Sequence, residues 1–129
     1  MAVDPDAVRR GAVVLVRLPG DKGRPAVVIR ADLLAELSYA TVLPITSELR
    51  ERATLRIDVG PTPENGLRLA SQVMADWPQT VRFSDMGELI GRLDAATMRA
   101  ITRQVAIVLG IGTGTRRRSS PPTPIPGAG

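Results

Sequence analysis

Arg24 stands directly before Pro25 at the head of an apolar run, and Thr46 and Ser47 follow closely on another run that reaches Pro44. A guanidinium is a planar fork that meets phosphate-like oxygens through paired hydrogen bonds, and a hydroxyl can orient or donate to the same group. Pro25 excludes Arg24 from the helical region and holds its backbone extended at the mouth of a strand. Thr46 falls at a loop edge, where its hydroxyl can face outward. Taken alone, these residues read more readily as a surface arginine in a turn and a capping threonine. The remaining chemical inventory is narrow, because the 129 residues include no histidine and no cysteine. That removes disulfides, thiolate nucleophiles, nearly every structural zinc site and the usual general base. Acid–base work falls to Arg, Lys, Asp, Glu, Tyr or hydroxyl groups. No GxGxxG, GxSxG, HExxH or Walker-type phosphate loop occurs. GIGTG at Gly110–Gly114 follows a helical pattern instead of opening one, and reads as a helix stop.

The elements that must position these residues are short and turn-punctuated. Ala12 to Leu18 (AVVLVRL) is a β-branched run, opened by Gly11 and closed by Pro19-Gly20. After the short loop PGDKG, Pro25 to Arg30 reads as a second strand, with Pro25 at its start because it cannot donate to a ladder. Ala31 to Leu37 suggests a short helix. Tyr39 to Pro44 is a third strand, ended by Pro44. Thr54 to Val59 alternates apolar and polar residues as a half-buried strand does. Pro61, Pro63 and Asn65-Gly66 form a dense turn signal. Leu67 to Ala75 continues as a strand, and Thr80 to Phe83 extends or restarts it. Asp94 is an N-cap, Met98, Ile101, Val105 and Val108 share one helical stripe, and Gly110 suits the stop. A helix over 94–109 would be about 24 Å long. No internal repeat is seen. The first two strands leave no room for a crossover helix, so a parallel sheet is excluded. The order predicts a small α+β domain, a curled antiparallel sheet or open barrel with a C-terminal helix at one side.

Lys and Arg number 17 against 13 Asp and Glu, a formal net charge of +4, and the sequence pI is about 10.9. Arg116, Arg117 and Arg118 account for most of that excess, leaving 14 basic residues against 13 acidic ones over residues 1–115. All the basic residues but Lys22 are arginine, which suits phosphate recognition and equally follows from a GC-rich genome. Beyond Gly112 the chain is rich in Gly, Pro, Ser and Arg, with Ile125 its only large apolar residue. Such a segment buries too little surface to offset its ordering entropy. Residues 113–129 are therefore expected to be a disordered tail after a domain over 1–112, either inert or an electrostatic arm for nucleic acid. Nothing near the N-terminus resembles a signal peptide and no apolar run approaches membrane-spanning length, so a soluble, cytoplasmic protein away from membranes is expected.

Four short patterns carry more information together than apart. They are Gly11–Leu18 leading into Gly23-Arg24-Pro25-Ala26-Val27-Val28-Ile29; Leu43-Pro44-Ile45-Thr46-Ser47; Asn65-Gly66-Leu67 leading into Ser71-Gln72-Val73-Met74-Ala75-Asp76; and Ile90-Gly91-Arg92-Leu93 before the last helix. In this order and spacing, over about residues 9–110, the chain resembles the MazF/PemK family of toxin endoribonucleases from type II toxin–antitoxin systems.

The resemblance implies an SH3-like antiparallel β-barrel of the CcdB/PemK type with a C-terminal α-helix. It implies a homodimer, no cofactor or metal, and an mRNA-interferase activity on single-stranded RNA. In that chemistry the RNA's own 2′-hydroxyl attacks the adjacent phosphate, leaving a cyclic phosphate and a 5′-hydroxyl. The family's catalytic arginine falls on Arg24 and its threonine on Thr46. Arg24 would act first as electrostatic stabiliser of the phosphoryl charge and second as proton donor. Ser47, Gln72, Asp76 and Trp77 are candidate substrate contacts: a further hydroxyl, a base-edge amide, an acidic position near the RNA and a stacking ring. Met74 occupies a place where some members carry a second arginine, and the loop before Arg24 is short. The implied partner is a small MazE-like antitoxin whose acidic or amphipathic tail competes with RNA, with operator DNA bound only through the complex. Two alternatives stay open: a non-enzymatic CcdB-like DNA gyrase inhibitor, and a degenerate member that acts only with its antitoxin in operon repression.

Overall fold

A computed structural model describes residues 3–20, 23–51 and 55–112 of the chain. Among these, seven strands precede one helix: β1 (Ala12–Val16), β2 (Arg24–Val28), β3 (Tyr39–Thr46), β4 (Arg56–Val59), β5 (Ser71–Met74), β6 (Gln79–Arg82), β7 (Met86–Arg92) and α1 (Ala95–Val108). Every pairing is antiparallel. The ladder runs β4-β5-β3-β2-β1-β7, with β6 also paired to β3, as an open path. This is the expected α+β arrangement of antiparallel sheet and C-terminal helix. The tail expected over 113–129 lies outside the described residues.

The β-branched runs are buried on both faces, which is why they read as continuous apolar stretches. Side chains alternate faces along a strand, and the chain fills both. Val14, Val16, Ala26, Val28, Val42 and Met86 form one core. Val13, Val27, Leu43, Ile45 and Val73 form the other, against Ile101 of α1. Ile101 is fully buried, and Met98 and Val105 of the predicted stripe flank it. Asp94 caps the helix, its carboxylate accepting from the Thr97 amide at 2.7 Å. Gly110 follows the helix at φ +69°, a left-handed stop that glycine adopts without steric cost.

Three expectations need correction, and one strand was not expected. Pro44 does not end the third strand, which continues to Thr46. Its missing N–H explains both the continuation and a break beside it. Ala26 faces Pro44 in the β2–β3 register, and the Ile29 amide donates to the Thr41 carbonyl. In that alternating pattern Pro44 sits at a non-hydrogen-bonded pair on the β2 side, so its nitrogen points to the opposite edge. There β3 pairs with β6 up to Val42 and with β5 from Ile45 onward. The proline nitrogen lies in the gap, where no ladder bond is lost.

The strand expected from Leu67 is confined to Ser71–Met74, because residues 67–69 leave the sheet to wall a groove. The helix expected over 31–37 is a single 3₁₀ turn, Asp32–Leu34. Strand β7 had no counterpart in the sequence reading. Its Gly87 and Gly91 break the apolar alternation, and Gly91 is required by a close approach: a Cβ there would collide with the Glu64 carbonyl.

Candidate active site

Strand register brings together what linear spacing leaves apart. Ala26 faces Pro44 and Val27 faces Leu43, the ladder ending there; carried on by two residues, the same register would set Arg24 against Thr46. Thr46 in turn faces Gln72 of β5, and Gln72 faces Asp58 of β4. Directly opposed residues share a face, so Thr46, Gln72 and Asp58 form one polar row across β3, β5 and β4. Arg24 and Thr46 are half-buried and Ser47 is exposed.

All three line a groove of about 650 Å³. Leu15, Pro25 and Ile45 contribute apolar lining from β1, β2 and β3. One wall is the segment Gly66–Leu69, held by a post. Asn65 is 3% exposed; its carbonyl oxygen accepts from the Thr62 and Leu67 amides, and its Nδ2 donates to the Gly60 carbonyl. Gly66 sits at φ +69°, where a Cβ would meet the Ile90 carbonyl oxygen. The asparagine–glycine turn is therefore docked on β7, whose Glu88, Leu89 and Ile90 also line the groove. Arg68 brings a second guanidinium to this wall.

The Thr46 hydroxyl is oriented by its own loop. Its Oγ1 accepts from the Glu48 amide at 3.0 Å. With that lone pair engaged, the O–H remains a donor for an oxygen in the groove. Guanidinium and hydroxyl donors converging on a wet groove can stabilise negative charge on a phosphoryl group.

A second cleft of about 370 Å³ lies on the other side of Arg24, lined by Leu18, Pro44, Met74, Trp77 and Gln79. Arg24 borders both spaces. Trp77 is 56% exposed there. It is held on the turn between β5 and β6, where the Trp77 amide donates to the Met74 carbonyl. Asp76 is exposed on that turn and lines neither cleft. Gln72 is 6% exposed, and both ends of its amide are engaged by protein partners. Pairing it with a base edge would require breaking those bonds.

Sequence reasoning missed Arg68, Leu69, Glu88 and Leu89 as groove residues. The glycines at 66 and 91 carried a usable signal, since isolated glycines in or beside a strand mark close backbone approach.

A model of the PemK-like, MazF-like toxins of type II toxin–antitoxin systems matches residues 9–109. The chain belongs to this family. It is 33% identical over 107 residues to the "Probable endoribonuclease MazF" of Mycolicibacterium smegmatis, covering 81% of this chain and 98% of that one. It is 34% identical over 86 residues to "Endoribonuclease MazF3" of Mycobacterium tuberculosis, covering 66% and 81%. Among solved structures it resembles the "Mycobacterium tuberculosis toxin MazF-mt6", with a TM-score of 0.67 at 27% identity over 77% of this chain and 96% of that one. An endoribonuclease in complex with its cognate antitoxin, from Mycobacterial species, shares the fold at a TM-score of 0.70 and 23% identity, covering 80% and 95%. No helix among the described residues of this PemK-like chain is long and apolar enough to cross a membrane.

Proposed function

We propose that this PemK-like toxin is an mRNA interferase that cuts single-stranded RNA in the groove bordered by Arg24 and Thr46. The observation that carries the reading is that Arg24 and Thr46 line one groove, each two residues beyond the Ala26–Pro44 pair at which the β2–β3 ladder ends. The RNA's 2′-oxygen forms a bond to the adjacent phosphorus while the bond to the 5′-oxygen breaks. Charge that builds on the phosphoryl oxygens is met by the Arg24 fork and the Thr46 O–H. The attacking 2′-hydroxyl gives up its proton to solvent, and the departing 5′-oxygen takes one up, with Arg24 as donor in its second role. A 5′-hydroxyl and a cyclic phosphate remain, with the proton count unchanged. No metal or cofactor enters this scheme. Ser47 adds a hydroxyl at the groove edge, and Trp77 offers a stacking face beyond Arg24. Asp76 stands near enough in sequence to Trp77 to face RNA leaving the second cleft.

The protein would work in the cytoplasm as a homodimer, restrained by a MazE-like antitoxin whose tail lies across the groove, with operator DNA bound through that complex. Residues 1–112 would carry the activity and 113–129 would add only charge. Relatives named as endoribonucleases, together with an arginine and a threonine that a gyrase binder has no need of, favour this reading over a non-enzymatic toxin.

The test is cleavage of a long single-stranded RNA in EDTA, with Arg24→Ala and Thr46→Ala alongside. Site-specific cuts with 5′-hydroxyl ends are expected from the parent. Both variants should lose about 100-fold or more in rate, the usual effect of removing one transition-state donor. A folded parent that cuts nothing would favour a binding toxin. Cuts that survive both substitutions would place the chemistry elsewhere.

A further inference from the structure

Gln72 is the residue directly opposite Thr46 on β5, yet its side chain serves the protein and not the groove. Its Nε2 donates to the Arg50 carbonyl at 3.2 Å and to Asp58 Oδ1 at 2.9 Å. Its Oε1 accepts from the Arg50 amide and from Arg56 Nη1, both at 3.1 Å. An amide has two donors and an acceptor oxygen with two lone pairs, so the hydrogen-bonding capacity of this group is filled. The same Arg56 Nη1 donates to the Glu48 carbonyl at 3.1 Å. The Glu48 amide then donates to Thr46 Oγ1.

These contacts make a closed path. It runs from Gln72 through Arg56 to Glu48 and on to the hydroxyl of Thr46, with a second hold on the loop at both backbone groups of Arg50. The loop that leaves β3 is otherwise exposed at Ser47, Glu48, Leu49 and Arg50, and such segments wander unless tied down. We infer that Gln72 and Arg56 are positioning residues for cleavage, clamping the 46–50 loop so that the Thr46 O–H points into the groove. The inference rests on the reading of Thr46 as a catalytic group. It assigns Gln72 no contact with RNA.

A positioning residue changes the rate through the group it positions. Gln72→Ala should lower kcat about 10- to 100-fold, the range that a misplacement near 1 Å produces, with KM for RNA within about twofold of the parent. Arg56→Ala should lower kcat in the same direction by a smaller factor, since the Arg50 bonds to Gln72 survive. The deciding measurement is a double-mutant cycle under single-turnover conditions with Thr46→Ala. If Gln72 acts through Thr46, adding Gln72→Ala to Thr46→Ala costs no further rate.

A full multiplicative loss in the double variant would overturn the clamp, as would a Gln72→Ala effect confined to KM. Thr46→Ala with unchanged cleavage would instead bring down the reading of the site on which the clamp depends. Melting curves accompany each variant. If Gln72→Ala does not fold, the cycle is run with Arg56→Ala, which removes the link from Gln72 through Arg56 to Glu48 and leaves the Arg50 and Asp58 bonds to Gln72 in place.

Discussion

A tryptophan that is more than half exposed, in a chain with one Trp, one Tyr and one Phe, holds its place without the support of core packing. Trp77 stands at the mouth of the cleft that shares Arg24 with the main groove. A phosphate held at Arg24 would have one flanking nucleotide on each side, and the indole face is available to one of them. Base–aromatic stacking contributes about 1–3 kcal/mol, so Trp77→Ala should raise KM about 5- to 100-fold and change which sites are cut. Trp77→Phe should keep most of the effect, and melting should change little in either. Mapping cut sites on a long RNA decides the matter. An unchanged site map and KM would reduce Trp77 to a surface residue. At this scale the family pattern did most of the work, because by type and neighbours alone Arg24 before Pro25 and Thr46 after Pro44 read as a turn arginine and a capping threonine. The service of Gln72 was not legible, because its partners Arg50, Arg56 and Asp58 come from 14 to 22 residues away and meet only through register.

Among the elements, α1 matched its sequence signals most closely. The apolar stripe, the N-cap and the glycine stop all agree on 95–108. Hydrogen bonds from the Thr97 amide and Thr97 side chain, with a smaller contribution from Arg99, hold the Asp94 carboxyl below the ordinary aspartate range. A lowered folded value means the charged cap stabilises the native state at pH values above the unfolded aspartate pKa, about 3.9. That contribution is lost as pH falls through the lower folded value. Asp94→Ala should therefore lower the melting temperature at neutral pH, with the gap to the parent narrowing in acid. A gap that stays constant down to the acid limit would mean the carboxylate charge contributes nothing. Strand β7 lies at the other extreme. MGELIGR lacks a β-branched run and carries two glycines, so neither propensity nor alternation marks it. Gly91 is there for the Asn65-Gly66 turn that packs on it, a tertiary requirement that a local pattern does not express.

At the scale of the whole molecule, two cores on opposite faces of one sheet constrain the fold more than any single contact. A one-residue slip of β2 or β3 would exchange the faces of Val27, Leu43 and their neighbours. It would also separate Arg24 from Thr46. Helix α1 covers one stretch of its sheet face through Ile101, and Ile101→Ala removes about 2–5 kcal/mol from such a position. Charge is distributed differently, with nearly balanced signs over residues 1–115 and three consecutive arginines beyond. Truncation after Gly112 should leave the melting temperature and the cut sites unchanged. Because single strands release about 0.7 counterions per phosphate contact, it should lower the slope of log affinity against log salt by about 2. Fluorescence anisotropy with a short RNA across a salt series measures this, and an unchanged slope would mean the arginines do not meet the RNA.

The gap beside Pro44 bears on how such a toxin can diversify. Across from that proline there is no ladder bond to preserve, and β5 and β6 pair with β3 on either side of it independently. Beyond the buried Ala75, residues 76–78 can therefore be lengthened, shortened or exchanged without shifting the register of either strand. Trp77 sits in that stretch, on the rim of the second cleft. The chain has in effect a replaceable part at the point where one nucleotide would be chosen over another, joined to a sheet whose register cannot be altered.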